Sequence, residues 1–382
     1  MAVSLKRRFS EVEVDAVPIV EGFSMAVEVF SHGPTIEAVR GGNLDFGVKP
    51  RSGENQPEKR RNLILKQLLN APTCIIQGIE APAELPSTSL AFAKCIHKTG
   101  FLEFLVDGHK QWLKEGRDLS FTLDSLPQED PANQTFVPFH FLRTAGEEPR
   151  GKQAATKVGF YANDATTPIF PDTPEVLEND LAIVSAAVHA LKSGTRNVYA
   201  LTCMPGHHAA PFNYGGYCFL NYAAIAAYRL QEHGFKVGIL DVDYHGGDGT
   251  LHCLEADAEV CTAYVSIHSG SDYPYLDFGE NGVEFSVKAD WPQYSEILQT
   301  AIARIKAKDI NALVVCLGLD TLADDPDASL LAGCNLKVAD FKTMGEVLKG
   351  LDVPILITQE GGYKLEEVAQ AVEEFLKGIL GE

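Results

Sequence analysis

From Thr173 onward the chain alternates short, almost wholly apolar runs with stretches of helical periodicity. The apolar runs are 197–203, 237–242, 262–267, 312–319 and 354–358, and the helical stretches fall near 218–233, 293–307, 340–349 and 365–379. A strand that is apolar on both faces needs cover on both faces, and parallel strands need crossover helices that supply it. The alternation therefore predicts an α/β domain built on a central, mainly parallel sheet. Thr173-Pro174-Glu175 combines a cap residue, a proline at the first helical position and an acid in the first turn, so it opens a helix that ends near Gly194.

The first 172 residues are less regular. Residues 57–70 and 99–113 read as helices, whereas Arg40-Gly41-Gly42 and Arg51-Ser52-Gly53 read as loops. Residues 116–172 are polar, broken by prolines and marked by the acidic pairs Glu129-Asp130 and Glu147-Glu148. They read as a long surface excursion, and loops of that length are usually functional or interface-forming. With residues 1–24 as an N-terminal extension and no internal repeat, residues 1–382 are expected to form one domain.

Charge narrows the partners. The chain has 32 Lys+Arg against 52 Asp+Glu, a net charge of −20, which repels phosphate backbones and favours a small cationic partner over nucleic acid. No apolar stretch approaches the ~18 residues needed to span a bilayer, so no membrane association is expected. The start, MAVSLKRRFSEVEVDAV, lacks the apolar core of a secretory signal. The eight cysteines form no C-x-x-C pair and several lie inside apolar runs, as reduced core residues do. The expected location is cytoplasmic.

Polar residues gather where the apolar runs end. Met204-Pro205-Gly206-His207-His208 follows the first run, and the second leads into Asp241-Val242-Asp243-Tyr244-His245-Gly246-Gly247-Asp248. His268 follows the third, Asp320 the fourth and Gln359-Glu360-Gly361-Gly362-Tyr363 the last. Ligand crevices of open α/β sheets lie outside the carboxyl ends of the strands, so five segments deliver carboxylates, imidazoles and a phenol to one edge. In an extended segment Asp243 and His245 point to the same side and can share a cation. Asp320 could supply a third ligand, leaving a position open for water, as in a catalytic metal site. The donor set suits Zn²⁺, with Fe²⁺ or Co²⁺ also acceptable. Beside a metal, one imidazole of His207-His208 could move a proton, with Asp241 and Asp248 available to set the tautomers. Tyr363, after two glycines, could donate a hydrogen bond to an oxyanion.

These motifs resemble the zinc-dependent histone deacetylase superfamily, and within it the acetylpolyamine amidohydrolase branch. They are Pro-Gly-His-His-Ala (205–209), Gly-Gly-Tyr-Cys-Phe-Leu-Asn (215–221), Asp-Val-Asp-Tyr-His (241–245), Gly-Asp-Gly-Thr (247–250), Val-Ser-Ile-His (265–268), Gly-Leu-Asp-Thr (318–321) with Asp325-Pro326, and Glu-Gly-Gly-Tyr (360–363). The resemblance is firm from about 159 onward and looser over 25–115, where Phe104-Leu105, His109 and Trp112, and Pro57-Glu58 with Arg60-Arg61, are similar to the polyamine branch. It implies the three-layer α/β/α arginase/deacetylase fold. It makes Asp243, His245 and Asp320 the zinc ligands, and His207 and His208 the proton-transfer pair, oriented by Asp241 and Asp248 respectively. Tyr363 becomes the electrophilic tyrosine. Gly216 and Tyr217 would line the acyl channel, and Asp164 would stand on the rim, where the family anchors substrate. Asp327, just after Asp325-Pro326, is near the place of an acidic gatekeeper in polyamine-selective relatives. The backbone around Asp241, Asp243 and His245, with Ser266, would hold a structural K⁺.

The implied activity is metal-assisted hydrolysis of an N-acetylated amine, acetylpolyamines first, with acyl-lysine deacetylation of proteins as the alternative and a catalytically silent relative as a third reading. A binuclear manganese ureohydrolase of the same fold is disfavoured, because Gly246-Gly247 stands where further ligands would be needed. The excursion at 116–172 would form a homodimer interface narrowing the site, as in the polyamine branch. Three departures stand out: Gly246 replaces the family's second histidine, Tyr222 a common second asparagine, and the loop 269–282 is short.

Overall fold

The computed structural model describes residues 26–32, 57–72, 74–79, 89–116, 137–138, 140–141, 149, 151–285, 288–328 and 333–382. The N-terminal extension, the 40–42 and 51–53 loops and most of 117–150 lie outside the described residues. In chain order the elements are β1 (Val27–His32), α1 (Pro57–Leu68), β2 (Cys74–Ile79), α2 (Ser89–Ala93), α3 (Thr99–Lys114), α4 (Ala154–Tyr161), α5 (Thr173–Lys192) and β3 (Asn197–Ala200). They continue with α6 (Tyr222–Gln231), β4 (Val237–Asp241), α7 (Asp248–Ala256), β5 (Ala263–Ser269), β6 (Gly282–Phe285), α8 (Trp291–Lys306), β7 (Ala312–Leu317), α9 (Val338–Lys349), β8 (Ile355–Gln359) and α10 (Leu365–Leu380).

The eight strands form one sheet in the order β2-β1-β3-β8-β7-β4-β5-β6. Every pairing in it is parallel. Side-chain alternation along the strands divides the core in two. Val237, Ile239, Val314, Cys316 and Leu356 face one cluster, built with α2 through α7. Leu240, Val242, Leu313, Val315, Leu317, Ile355 and Ile357 face the other, built with α1, α8, α9 and α10. This is the expected three-layer α/β/α architecture, and it explains why the central strands read as unbroken apolar runs.

The five apolar runs correspond to β3, β4, β5, β7 and β8, with ends shifted by one to three residues. The helix expected from Thr173 is α5, and Pro57 and Thr99 open α1 and α3. Three strands escape the periodicity reading. β2 and β6 are the two ends of the sheet and β1 lies next to one end, and Glu28, Gln77 and Glu284 interrupt their apolar pattern.

One expectation needs correction. Residues 151–172 are not a surface excursion: α4 packs on α3, and Val158, Phe160, Tyr161 and Ile169 are buried in the core. Apolar residues spaced between polar ones give this stretch a buried face that its average polarity conceals.

Candidate active site

The strand ends β3, β8, β7, β4 and β5 are consecutive in the sheet, so the segments that leave them converge. They line a cavity of about 310 Å³ that includes Pro205, His207, His208, Asp243, His245, Asp272, Tyr273, Asp320, Gly361 and Tyr363. Asp164, Thr166, Gly216, Tyr217 and Asp327 complete its wall.

Asp243, His245 and Asp320 lie with their ligand atoms within 4.8 Å of one another. His245 Nδ1 is 3.1 Å from Asp320 Oδ2 and 3.4 Å from Asp243 Oδ1. The reason differs from strand alternation: β4 ends at Asp241, and residues 243–245 are bends. Here backbone capping sets the side chains, with His245 N donating to Asp243 Oδ1 (3.0 Å) and Tyr244 N to Asp320 Oδ1 (2.9 Å).

Two buried carboxylates this close destabilise each other. Burial and the Asp243 charge push Asp320 up to about 8. Burial also works against the Asp243 charge, but His207 and His245 hold its carboxyl well below the usual range. Burial alone would lower His245, yet Asp243 and Asp320 raise it well above its ordinary value. A Cβ at Gly361 would stand 2.7 Å and 2.8 Å from the Oδ2 atoms of Asp320 and Asp243, so only glycine keeps this cradle clear. Two carboxylates, one imidazole and a kept space fit a divalent cation such as Zn²⁺.

Each of the two histidines is held by a carboxylate. His207 Nδ1 lies 3.1 Å from Asp241 Oδ2, and His208 Nδ1 lies 2.7 Å from Asp248 Oδ1, with ring centroids 4.0 Å apart. Asp248 is the first residue of α7 rather than part of the metal loop, so two elements aim the pair. Their electrostatics diverge. Burial disfavours the charged form of both, but Asp243 and Asp241 raise His207 to about 10. His208 is lowered by burial and by the charge of His207, against the opposing pull of Asp248.

Tyr363 is placed by its turn. Gly362 adopts φ +118°, a region that L residues avoid, and Tyr363 N donates to Asp325 Oδ2 at 2.7 Å. Burial, then the nearby Asp327 charge, pushes the phenol well above its ordinary pKa, so it stays protonated. The channel wall is equally constrained. A Cβ at Gly216 would come 2.3 Å from the His208 ring, and Tyr217 sits edge-on to Tyr363 at 5.8 Å while its hydroxyl donates to Asp327 Oδ1 at 3.3 Å. Asp164 organises the rim, accepting from Gly216 N (2.5 Å), Thr166 N (2.8 Å), Thr166 Oγ1 (3.0 Å) and Thr167 Oγ1 (3.1 Å). Ser266 and Asp241 stand opposite each other in the β4–β5 register.

Several contributors had no site role in the sequence reading. Tyr273, from the short loop, packs its ring edge against His208 at 4.9 Å, and nothing periodic marks it. Asp272 beside it accepts from Tyr244 Oη at 3.1 Å. Arg60, on α1, lies under the Tyr363 ring at 5.5 Å and reaches the carbonyl oxygens of Gly362 (3.5 Å) and Cys203 (3.4 Å). The Gly246 departure also has a physical reading: a Cβ there would meet the Phe278 ring at 2.6 Å, so Phe278 occupies the space a larger side chain would need. Tyr222 likewise finds a buried partner, donating to Asp180 Oδ2 at 3.1 Å.

A model of the histone deacetylase domain matches residues 55–379. The chain is 34% identical over 301 residues to acetylpolyamine amidohydrolase 2 of Pseudomonas aeruginosa, a match that covers 75% of this chain and 81% of the relative. It is 31% identical over 299 residues to the acetylpolyamine amidohydrolase of Mycoplana ramosa, covering 75% and 82%. Among solved structures, an acetylpolyamine aminohydrolase from Burkholderia pseudomallei shares the fold, with TM-score 0.76 at 22% identity over 92% of this chain and 98% of that one.

Proposed function

This chain belongs to the histone deacetylase family and is a deacetylase, and on that premise we propose that it hydrolyses N-acetylated amines, acetylpolyamines first, with Zn²⁺ held by Asp243, His245 and Asp320. The observation that carries the reading is one cavity in which this ligand triad, two carboxylate-paired imidazoles and a protonated phenol meet, with the carboxylates Asp164, Asp272 and Asp327 on the same wall. Those acids and the net charge of −20 support a small cationic substrate over a nucleic acid or a membrane. Among the described residues no helix is long and apolar enough to cross a membrane. Fe²⁺ or Co²⁺ would suit the same donors. The pairing of Asp241 with Ser266 supports a structural K⁺ beside them.

Bound there, the divalent cation would polarise the acyl carbonyl and acidify a water. His208 is the residue kept neutral, and its Nδ1–Asp248 contact leaves Nε2 free to take a proton. His207, charged between Asp241 and Asp243, is the second proton carrier and faces the developing negative charge. Tyr363 donates its phenolic hydrogen to the oxyanion, and an imidazolium returns a proton to the departing amine. Asp164 and Asp327 meet the free ammonium, while Gly216 and Tyr217 shape the acyl channel. We place the enzyme in the cytoplasm and infer a homodimer.

The test is amine release from N-acetylated putrescine, cadaverine and spermidine beside an acetyl-lysine peptide, with Tyr363→Phe as control. Polyamine turnover at least tenfold above the peptide, lowered about 100- to 1000-fold in the control, supports the reading. Preference for the peptide moves the enzyme to acyl-lysine deacetylation. No turnover of either overturns it.

A further inference from the structure

The segment that carries His207 and His208 has no strand or helix of its own beyond Ala200, yet four of its backbone donors are fixed by two buried acids. Cys203 N and Met204 N donate to the two oxygens of Asp180 at 2.7 and 2.9 Å. Pro205 has no donor to place. Gly206 N and His207 N both donate to Glu360 Oε2, at 2.6 and 3.0 Å. The other Glu360 oxygen accepts from Thr358 Oγ1 at 3.1 Å, and the side chain is fully buried.

Glu360 is also the residue that leads into Gly361-Gly362-Tyr363. β3 and β8 are adjacent, with Ala200 opposite Thr358, so the His207 segment and the Tyr363 turn leave the sheet side by side. One carboxylate spans them. We infer that Glu360 is a positioning residue of the deacetylation: it fixes the imidazoles of His207 and His208 in register with the Tyr363 phenol. This rests on the reading of those three side chains as the reacting groups. A carboxylate suits the task because one oxygen accepts two backbone N–H groups. Burial pushes Glu360 up to about 7, against the lowering by the His207 charge. At pH 8, where the variants are compared, it is mainly ionised, and its bonds are charge-assisted, shorter and about twice as strong as neutral ones. Asp180 does the same for the two residues upstream, but it has no link to the Tyr363 turn. Arg60 also touches both segments, through the carbonyl oxygens of Cys203 and Gly362. Glu360, however, is the group that holds the N–H donors of Gly206 and His207 and is itself continuous with the Tyr363 turn.

The test compares kcat and KM for N-acetylputrescine hydrolysis at pH 8, together with thermal midpoints, in wild type, Glu360→Gln, Tyr363→Phe and the double variant, all Zn²⁺-loaded. Glutamine keeps the shape and loses the charge, so kcat should fall about tenfold with KM within about twofold. In the Tyr363→Phe background the same change should cost less than about threefold, because the register then has no phenol to serve. Wild-type kcat in Glu360→Gln, or an equal loss in both backgrounds, overturns the inference while leaving the reacting groups in place. An unimpaired Tyr363→Phe overturns the reading of the site and this inference with it. Should Glu360→Gln fail to fold, Thr358→Val decides, since it removes only the hydroxyl that steadies Glu360. A kcat loss of about threefold, seen only when Tyr363 is present, supports the role, and no loss overturns it.

Discussion

Replacing Asp248 with asparagine exchanges one oxygen for an NH₂ group and tests how His208 works. In the structure Asp248 Oδ1 lies 2.7 Å from His208 Nδ1, and both residues are buried. An asparagine there has two orientations. With its oxygen toward the ring, the tautomer is kept and only the charge is lost; a bond worth about 1.5–3 kcal/mol becomes one worth about 0.5–1.5, close to a tenfold loss in kcat. With its NH₂ toward the ring, Nδ1 must become the acceptor and the proton moves to Nε2. The base is then blocked, as in the serine-protease triad, where the analogous change costs about 10⁴-fold. The expected kcat therefore falls between about tenfold and 10⁴-fold. Asp248 does not line the cavity, so KM should hold. The acid limb of the pH–rate profile should shift to lower pH, because the carboxylate opposes the burial and the His207 charge that lower His208. Steady-state assays from pH 5 to 9 read all three quantities. A loss below about threefold in kcat, or a change confined to KM, would refute the steering of His208 by Asp248.

Two further outcomes follow from the same structure. His97 is buried with Nδ1 against Ala210 O (3.0 Å) and Nε2 accepting from Asn221 N (3.0 Å), so its ring must be neutral. Burial lowers it from 6.5 to about 4. Its folded pKa is depressed, so stability present above pH 6.5 drains as pH falls toward 4, by up to about 3 kcal/mol; urea denaturation at pH 7.5 and 4.5 should show a loss that His97→Gln reduces. Chelating the metal should abolish turnover and lower the thermal midpoint, with both restored by Zn²⁺. Metal at a thousandfold over its Kd contributes about 4 kcal/mol, and an unchanged midpoint would argue against Asp243, His245 and Asp320 as its ligands.

Asp243, His245 and Asp320, the proposed ligands, and the two histidines stood out in the sequence because each comes within five residues of the end of an apolar run, where polar residues have no packing reason to gather. The supporting residues were less visible. Asp180 falls on the buried face of α5 with Leu177, Leu181 and Val184, and an acid on such a face is a signal that a sequence does carry. Tyr273 carries no comparable mark, and Arg60 was marked only by its likeness to the polyamine branch, since their places at the site depend on which loop or helix the fold brings beneath the cavity. The polarity of 151–172 misled for a related reason: Asp164 and Thr166 face the cavity, not open solvent.

β8 comes late in the chain and yet stands in the middle of the sheet, between β3 and β7. Until it inserts, the strands made before it form two separate halves with unpaired inner edges. The same strand brings Glu360 and Tyr363 to the cavity. A polypeptide emerging from the ribosome therefore presents Asp243, His245 and Asp320, the proposed metal ligands, before Tyr363, the proposed oxyanion donor. On the proposed reading, chains that stop short of β8 would lack both the strand that joins the two halves of the sheet and the phenol of Tyr363, and would be hydrolytically silent.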